Sequence, residues 1–352
     1  MKLVRFENEK KYIKDFLSLG RELYGENCVQ DDGLTKQILL KQHPLSKYFS
    51  SFNFLVYREA KPVGRFVITF YDNDPAAYIG FYECEDNDET AKYLFDSAAE
   101  FAGENGRESL VGPVDCSFWI KYRLKTNMFD KPPYTGEPYN LEYYKKQFSD
   151  NGFETAEHYT SNVYDSIGKD YVNEKFEERF RLFSSQGIEI NSLDICEFEK
   201  RITEVYYLLT DLYRDFPVFR KIELDDFLDM FSSFKKAVDP RMVKLAFSDG
   251  KMVGFFISVP DYGNLANNLN PAKLLKFMQI KKSPKRYIML YMGVDPKFRG
   301  LGKAMAYSVL RELKSRGASG VGALTRDGKV TQNYAEDLIG DRYEYVLLRR
   351  KI

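Results

Sequence analysis

A short run from Val294 to Ala306, VDPKFRGLGKAMA, combines residue types that favour binding of a phosphate. Gly300 and Gly302 let a ligand approach the backbone closely, while Arg299 and Lys303 add positive charge. The glycines precede a predicted helix, whose unpaired N-terminal amides and dipole attract anions. The pattern is neither GxGxxG nor a P-loop, so an ordinary turn before a core helix is the alternative.

The elements on either side of this run are predicted to hold it in place. The preceding segment, RYIMLYMGV, is typical of a buried strand, and Asp295-Pro296 ends it. The following segment is predicted to be a helix with its apolar side chains on one face. Those side chains are Met305, Ala306, Val309, Leu310 and Leu313.

The sequence contains a loose internal repeat. KPVGRF at 61–66 matches KMVGFF at 251–256, and each follows an apolar strand and a turn. YIxxY then occurs at 78–82 and again at 287–291. A helix is predicted after each, at 88–104 and 302–316, and Gly106 and Gly317 follow as C-terminal caps. Chance similarity of a common hairpin pattern is the alternative.

The repeat indicates two α/β domains of similar design, at 1–168 and 169–352. A helix at 171–186 is predicted to begin the second domain, with phenylalanines spaced for one face. At the position of the Gly-rich run the first copy reads ECEDNDET, with five carboxylates and no glycine. This segment would repel an anion, so we expect only the second domain to bind one.

The composition narrows the functional classes. Lys+Arg and Asp+Glu number 52 each, which gives no reason to expect nucleic acid or an anionic membrane as a partner. The two histidines and four scattered cysteines, without CxxC, argue against a metal site. The N-terminal residues have no apolar h-region, and no run is long enough to span a membrane. We therefore expect a cytoplasmic protein.

Together, the strand, GVDP, Arg299-x-x-Gly302-x-Ala304 and the amphipathic helix resemble the GNAT superfamily of acyl-CoA-dependent N-acyltransferases. The resemblance extends weakly over the whole chain as a tandem pair. It implies two GNAT-like domains, each a mixed, mostly antiparallel twisted sheet flanked by helices. The first would be degenerate, and the second would bind acetyl-CoA as cosubstrate, without a metal.

The resemblance also implies the roles of individual residues. The strand would pair with the pantetheine, and the amide of Met292 or Val294 would polarise the thioester carbonyl. A bulge would lie near Met292-Gly293. The cofactor-binding residues implied are Met292, Val294, Arg299, Gly300, Leu301, Gly302, Lys303, Ala304 and Asn333.

The proton-transfer groups are harder to place by resemblance. The family's C-terminal motif is well kept at 140–153 but poorly at 333–345, where Gly340 replaces the usual tyrosine. Tyr334 and Tyr291 are the substitute candidates for the catalytic acid, with aromatic packing as the alternative. The predicted strand contains no Asp or Glu, so we expect water to relay the proton to a more distant carboxylate.

Three further segments are candidates for the acceptor side. Predicted helices at 205–212 and 224–231 flank a loop with Tyr213, Asp215 and Phe219, which correspond to the family's acceptor wall. The Pro- and Tyr-rich loop at 129–140 is either a lid or a rigid connection. The basic stretch at 273–286 is either a solvated helix face or a contact for the adenosine 3′-phosphate end of CoA or for an acidic partner.

The sequence therefore predicts an N-acetyltransferase acting by direct attack of a primary amine on the thioester. The acceptor would be a small molecule or a peptide, and the protein a monomer or homodimer. A non-catalytic acyl-CoA-binding module and a Fem-type aminoacyl transferase are the alternatives.

Overall fold

The computed structural model describes residues 1–25, 28–265 and 271–352. Within these, the chain divides into two compact units. The first unit contains 1–159, 264–265 and 344–352, and the second contains 160–263 and 271–343. The sequence-based boundary at 168 therefore differs at two places: 160–168 belong to the second unit and 344–352 to the first. The return of the C-terminal strand depends on long-range pairing, which local sequence patterns do not show.

The first unit combines a sheet with helices that lie between its strands in the sequence. Its strands are β1 (Lys2–Phe6), β2 (Ser50–Arg58), β3 (Lys61–Phe70), β4 (Ala76–Cys84), β5 (Ser109–Gly112), β6 (Leu124–Lys125), the first part of β7 (Glu154–Tyr164) and the last part of β13 (Ile339–Lys351). Its helices are α1 (Lys10–Tyr24), α2 (Asp32–Leu39), α3 (Asp88–Glu104) and α4 (Tyr144–Asp150).

The sheet of the first unit has the order β1-β2-β3-β4-β5-β13. Only β4 and β5 are parallel; the other pairs are antiparallel, including β6 with β13. Helix α3 covers one face, because its alanines and Leu94 and Phe95 are buried against the strands. Asn87 caps this helix, since its side chain accepts a hydrogen bond from the Thr90 amide at 2.9 Å.

The second unit repeats this design with additional helices on the sheet. Its helices are α5 (Glu174–Ser185), α6 (Phe198–Leu212), α7 (Leu224–Phe231), α8 (Phe234–Ala237), α9 (Pro271–Lys282) and α10 (Leu301–Arg316). Its own strands are β8 (Glu189–Ser192), β9 (Val243–Ser248), β10 (Lys251–Pro260), β11 (Arg286–Val294) and β12 (Ser319–Arg326). The order is β8-β9-β10-β11-β12, with β7 beside β12; the first four are antiparallel and β11-β12 is parallel.

The internal repeat is visible in the backbone as well as in the element order. The helices predicted at 88–104 and 302–316 are α3 and α10, and the helix predicted at 171–186 is α5. Each central strand also carries a bulge at the matching position. In β4, Phe81 and Tyr82 face one residue of β3; in β11, Leu290 has no partner in β10.

The Pro- and Tyr-rich loop at 129–140 is packed into the first unit. Glu137 is buried against Lys125, with their charged atoms 2.8 Å apart and both side chains 0 % exposed. The Asn140 side chain accepts from the Lys125 amide at 2.6 Å and donates to its carbonyl oxygen at 3.2 Å. Of the two sequence-based interpretations, these contacts favour the rigid connection.

Candidate functional site

Strands β11 and β12 separate part-way along their length. Their parallel pairing runs from Arg286↔Ser319 to Met289↔Gly322 and then stops, although both strands continue. A cavity of about 430 Å³ occupies the gap, and all its lining residues belong to the second unit. The site is thus a wedge between two parallel strands, with one strand's backbone edge left open.

The open edge of β11 presents the amides that the sequence analysis selects. The Asp295 amide donates to the Val253 carbonyl oxygen on β10 at 2.9 Å. Because backbone groups alternate sides along a strand, Val294 and Met292 point theirs away from β10. The Tyr213 hydroxyl, 3.5 Å from the Met292 carbonyl oxygen, lies on that same side. Tyr213, Met292 and Val294 also line the cavity.

The bulge predicted at Met292-Gly293 lies instead at Leu290, where the β10-β11 register shifts. Gly293 has a different role, because a Cβ there would lie 2.6 Å from the Phe255 ring and 2.8 Å from Leu212 Cδ1. A side chain at this position would require Phe255 and Leu212 to move, so Gly293 allows close packing here and does not form a bulge.

The Gly-rich run forms the predicted helix N-terminus. Gly300 adopts φ +99°, a left-handed conformation that favours glycine, and no side chain caps the first turn of α10. A Cβ on Gly302 would lie 2.7 Å from both Met292 Cε and the Tyr334 hydroxyl. Because Met292 and Tyr334 both line the cavity, the first turn of α10 lies one side chain away from it, and a helix N-terminus of this kind favours an anion.

The charged and apolar members of this run are placed differently. Arg299 is exposed and Lys303 half-buried, while Leu301 and Ala304 are completely buried, so these two can offer a ligand only their backbone. Sequence reasoning missed exposed Arg179 on α5, whose side chain lies 3.7 Å from a Cβ position on Gly300. Nothing in the local sequence of α5 indicates this approach.

Of the two candidate tyrosines, only Tyr334 lines the cavity. Its ring packs edge-on against Phe176 with centroids 5.3 Å apart. Burial raises the pKa of Tyr334 to about 12, so its hydroxyl stays protonated at neutral pH. Tyr291 lies 6.2 Å from the Phe231 ring and lines a different apolar cavity beside α6 and α7. Asn333 is exposed and is not among the residues that line the wedge.

The candidate acceptor residues are also separated by the structure. Tyr213 lines the wedge, and so does Phe216, which the sequence analysis did not select. Phe219 instead lines a polar cleft of about 950 Å³, together with Asp249 and Asp295. Asp215 is exposed and lines neither.

In the first unit, the chain itself fills the corresponding gap. The β4-β5 pairing ends at Tyr78↔Val111, and residues 114–115 then follow the edge of β4. The Val114 amide donates to Ile79 O at 2.8 Å, and the Phe81 amide donates to Asp115 Oδ1 at 2.5 Å. A Cβ on Gly80 would lie 1.8 Å from Val114 O. The bulge amide of this copy is therefore already occupied.

The acidic run of the first unit is held by basic partners. Glu83 is buried 3.4 Å from Arg65, and the Tyr144 hydroxyl donates to it at 2.5 Å. Glu85 pairs with Arg58 at 2.7 Å, and Asp88 pairs with Lys146 at 3.1 Å. These carboxylates form structural ion pairs and hydrogen bonds. They occupy the positions that correspond, in the internal repeat, to the Gly-rich run of the second unit.

The described residues contain neither a metal-binding cluster nor a helix able to cross a membrane. In the ranges 1–25, 28–265 and 271–352, no group of three or more His, Cys, Asp or Glu side chains is placed to hold a metal ion. In those same ranges, no helix combines the length and the apolar character that a membrane crossing needs.

The fold is shared with tandem GNAT proteins. The structure aligns with a tandem GNAT protein from the clavulanic acid biosynthesis pathway at a TM-score of 0.56, covering 99 % of this chain and 98 % of that one at 11 % identity. It also aligns with the glucosamine N-acetyltransferase region of a fungal multi-domain β-N-acetylglucosaminidase, at a TM-score of 0.54 and 14 % identity over 99 % of this chain and 38 % of that one. The chain therefore has the tandem GNAT fold, as its sequence predicts.

Among curated proteins, the chain is similar to a bacterial ceramide synthase of Caulobacter vibrioides. The two are 23 % identical over 279 residues, which cover 75 % of this chain and 72 % of the relative. No protein-family model matches the chain.

Proposed function

We propose that the protein is an N-acyltransferase that moves the acyl group of an acyl-CoA to a primary amine. The observation that carries this proposal is the contact of the uncapped α10 N-terminus with the open edge of β11. There, Gly302 in the first turn of α10 lies beside the cavity-lining side chains of Met292 and Tyr334, so an anion held by that turn would lie next to the outward-facing amides of β11. The similarity to a protein named ceramide synthase supports amide formation, because a ceramide is an amide.

The proposed donor site uses a few groups in separate roles. The amides of Leu301 and Gly302, with the side chains of Arg299 and Lys303, would hold the pyrophosphate of the donor. Arg179 would add a third positive charge beside Gly300. The amides of Met292 and Val294 would donate to the thioester oxygen as it becomes negative during attack.

The reaction proceeds by direct attack. The amine nitrogen forms a bond to the thioester carbon, and the carbon–sulfur bond of the tetrahedral intermediate then breaks. Tyr334 is the group proposed to give its proton to the departing thiolate, because it lines the cavity and is protonated. The amine proton leaves to water, since the residues that line the cavity include no Asp or Glu.

Calorimetry with CoA and acetyl-CoA tests the proposal, followed by a thiol-release assay across a panel of amines. We expect micromolar binding and release of free CoA with at least one amine class. The missing carboxylate favours a second candidate, a non-catalytic acyl-CoA-binding protein. Binding without thiol release would support that candidate, and no binding would refute both.

Replacing Tyr334 by phenylalanine is expected to lower kcat about 10²-fold or more, because proton donation by a placed group contributes roughly that amount. Affinity for CoA should change less than threefold, since the ring and its packing on Phe176 are kept. Tyr291→Phe is the comparison variant and should retain near-normal kcat. Equal losses in both variants would contradict the assignment to Tyr334.

The pH dependence gives a second readout of the same group. Because the pKa of Tyr334 is raised to about 12, the rate at saturating donor should not fall through its deprotonation between pH 7 and 10. A decline with an apparent pKa near 10 that disappears in Tyr334→Phe would contradict the buried, protonated state.

A further inference from the structure

The cavity in the second unit has two chemically different ends. At the mouth, where β11 and β12 end, it is lined by polar and basic side chains, including Thr325, Arg326 and Lys329. At the inner end, where the strands are still paired, the lining is apolar. That inner lining includes Tyr164, Met289, Val309 and Leu313.

Contacts around two glycines of β12 define the inner end. A Cβ on Gly320 would lie 3.0 Å from Met289 Cε and 3.3 Å from Leu313 Cδ1. A Cβ on Gly322 would lie 3.2 Å from the Tyr164 ring. Met289, Leu313 and Tyr164 therefore pack directly onto these glycines and form the apolar wall of the inner end.

The inner end extends well beyond the proposed thioester position. From Met292 to Met289 the strand advances about 10 Å at roughly 3.3 Å per residue. From Ala306 to Leu313, both in the lining, the helix also advances about 10 Å at 1.5 Å per residue. An extended carbon chain advances about 1.2 Å per bond, so this depth accommodates about eight bonds. An acetyl group would leave most of it empty.

The chemistry of the inner wall excludes the polar parts of the donor. The Tyr164 hydroxyl, which lies there, already donates to the Tyr334 carbonyl oxygen at 2.9 Å. The amide groups of a pantetheine arm would lose their hydrogen bonds at such a wall, whereas the open edge of β11 supplies partners for them. Hydrocarbon is the ligand chemistry that this surface accepts without such a loss.

We propose that the inner end binds the hydrocarbon tail of a medium- or long-chain acyl-CoA, of about eight carbons or more. This inference rests on the proposed function and corrects its expected donor, since the sequence analysis predicts acetyl-CoA. An unfilled apolar cavity lowers stability, and the bound chain would remove that cost. The site thus selects the donor by chain length through burial of methylene groups.

A chain-length series of donors tests the inference. Dissociation constants for acetyl-, butyryl-, hexanoyl-, octanoyl- and dodecanoyl-CoA are measured by calorimetry below their micelle concentrations. Each added methylene should tighten binding roughly fourfold until the inner end is filled. Acetyl- and octanoyl-CoA binding within twofold of each other would overturn the inference. Failure to bind any of them, or free CoA, would instead refute the proposed function.

A variant that fills the inner end provides the structural test. Val309 is 1 % exposed and lines the cavity two turns from Gly302, so Val309→Phe places a ring in the chain's path. We expect octanoyl-CoA to bind about 30-fold more weakly, with free CoA and acetyl-CoA changed less than threefold. Ser315→Phe, at an exposed position of the same helix, is the matched control and should leave the series unchanged.

A milder substitution keeps the test valid if the phenylalanine variant does not fold. Val309→Leu adds one methylene and should lower octanoyl-CoA affinity several-fold, again without weakening free CoA. Equal weakening of all donors by Val309→Leu would indicate general damage to the site and would overturn the assignment of this region to the acyl tail.

Discussion

Gly302→Glu is expected to abolish CoA binding, with a dissociation constant at least 10²-fold higher by calorimetry. The added Cβ would lie 2.7 Å from Met292 Cε and from the Tyr334 hydroxyl, so both must move. The carboxylate would also occupy the place proposed for the pyrophosphate and repel it. A glutamate in the first turn of a helix interacts favourably with the helix dipole, so we expect the variant to fold.

Two variants separate the causes of that loss. Gly302→Gln adds nearly the same bulk without charge and should weaken binding less than glutamate does. Gly168→Glu adds the same residue in the same unit, where nothing lies within 4 Å of a Cβ, and should bind CoA normally. If Gly302→Glu binds CoA like the wild type, the assignment of the phosphate site to this turn is wrong.

Lys125→Met is expected to destabilise the first unit by about 3–5 kcal/mol, because it leaves a buried carboxylate without its counter-ion. Lys125 and Glu137 are both 0 % exposed, and the Tyr345 hydroxyl donates to Glu137 at 2.8 Å. Urea unfolding followed by tryptophan fluorescence measures this change. Trp119 is the only tryptophan in the sequence and lies in the first unit, so the signal reports on that unit.

The double variant Lys125→Met/Glu137→Leu is the control for the ion pair. Replacing both charges by apolar groups of similar size should restore most of the lost stability, since such replacements are often neutral or favourable. If Lys125→Met alone lowers the free energy of unfolding by less than about 1 kcal/mol, the buried ion pair between Lys125 and Glu137 does not stabilise the first unit.

The pH dependence of the single variant has a defined sign. Burial raises the pKa of the Glu137 carboxyl, and Lys125 beside it opposes that shift. Without Lys125 the folded state should bind a proton at pH values where the unfolded state does not. The free energy of unfolding of Lys125→Met should therefore increase as the pH is lowered from 8 towards 5.

The sequence predicted those features that depend on local patterns. Helix α3, predicted at about 88–104, is observed at Asp88–Glu104, because polar residues before it and a glycine after it mark its ends. The glycine turn before α10 was likewise predictable, because it lies between a strand and a helix that the local sequence marks. The tandem fold was predictable because the same order of strand, turn and helix occurs in both halves of the chain. The absence of glycine from the acidic run of the first copy correctly marked a structural difference between the units.

Features that depend on contacts between distant segments were not predictable. One example is the face of β11 on which the Tyr291 side chain lies. The bulge at Leu290 shifts the alternation of side chains between the two faces by one residue, so the sequence pattern alone does not predict that face. The filling of the first unit's gap by residues 114–115 requires Gly80 to approach a segment more than thirty residues away. The position of Arg179 beside Gly300 depends on the packing of α5 against α10.

The membership of residues 344–352 in the first unit has a consequence for synthesis of the chain. These residues supply the strand that pairs with β5 and β6, together with the Tyr345 hydroxyl bound to Glu137. At about 5–20 residues per second, the ribosome needs roughly 10 to 40 s to make residues 160–343 before that strand emerges. Throughout this interval the nascent first unit has an unpaired sheet edge and an incomplete buried charge cluster. The N-terminal unit therefore completes its fold only after the second unit has been synthesised, and chaperone binding to nascent chains should persist until residues 344–352 have emerged.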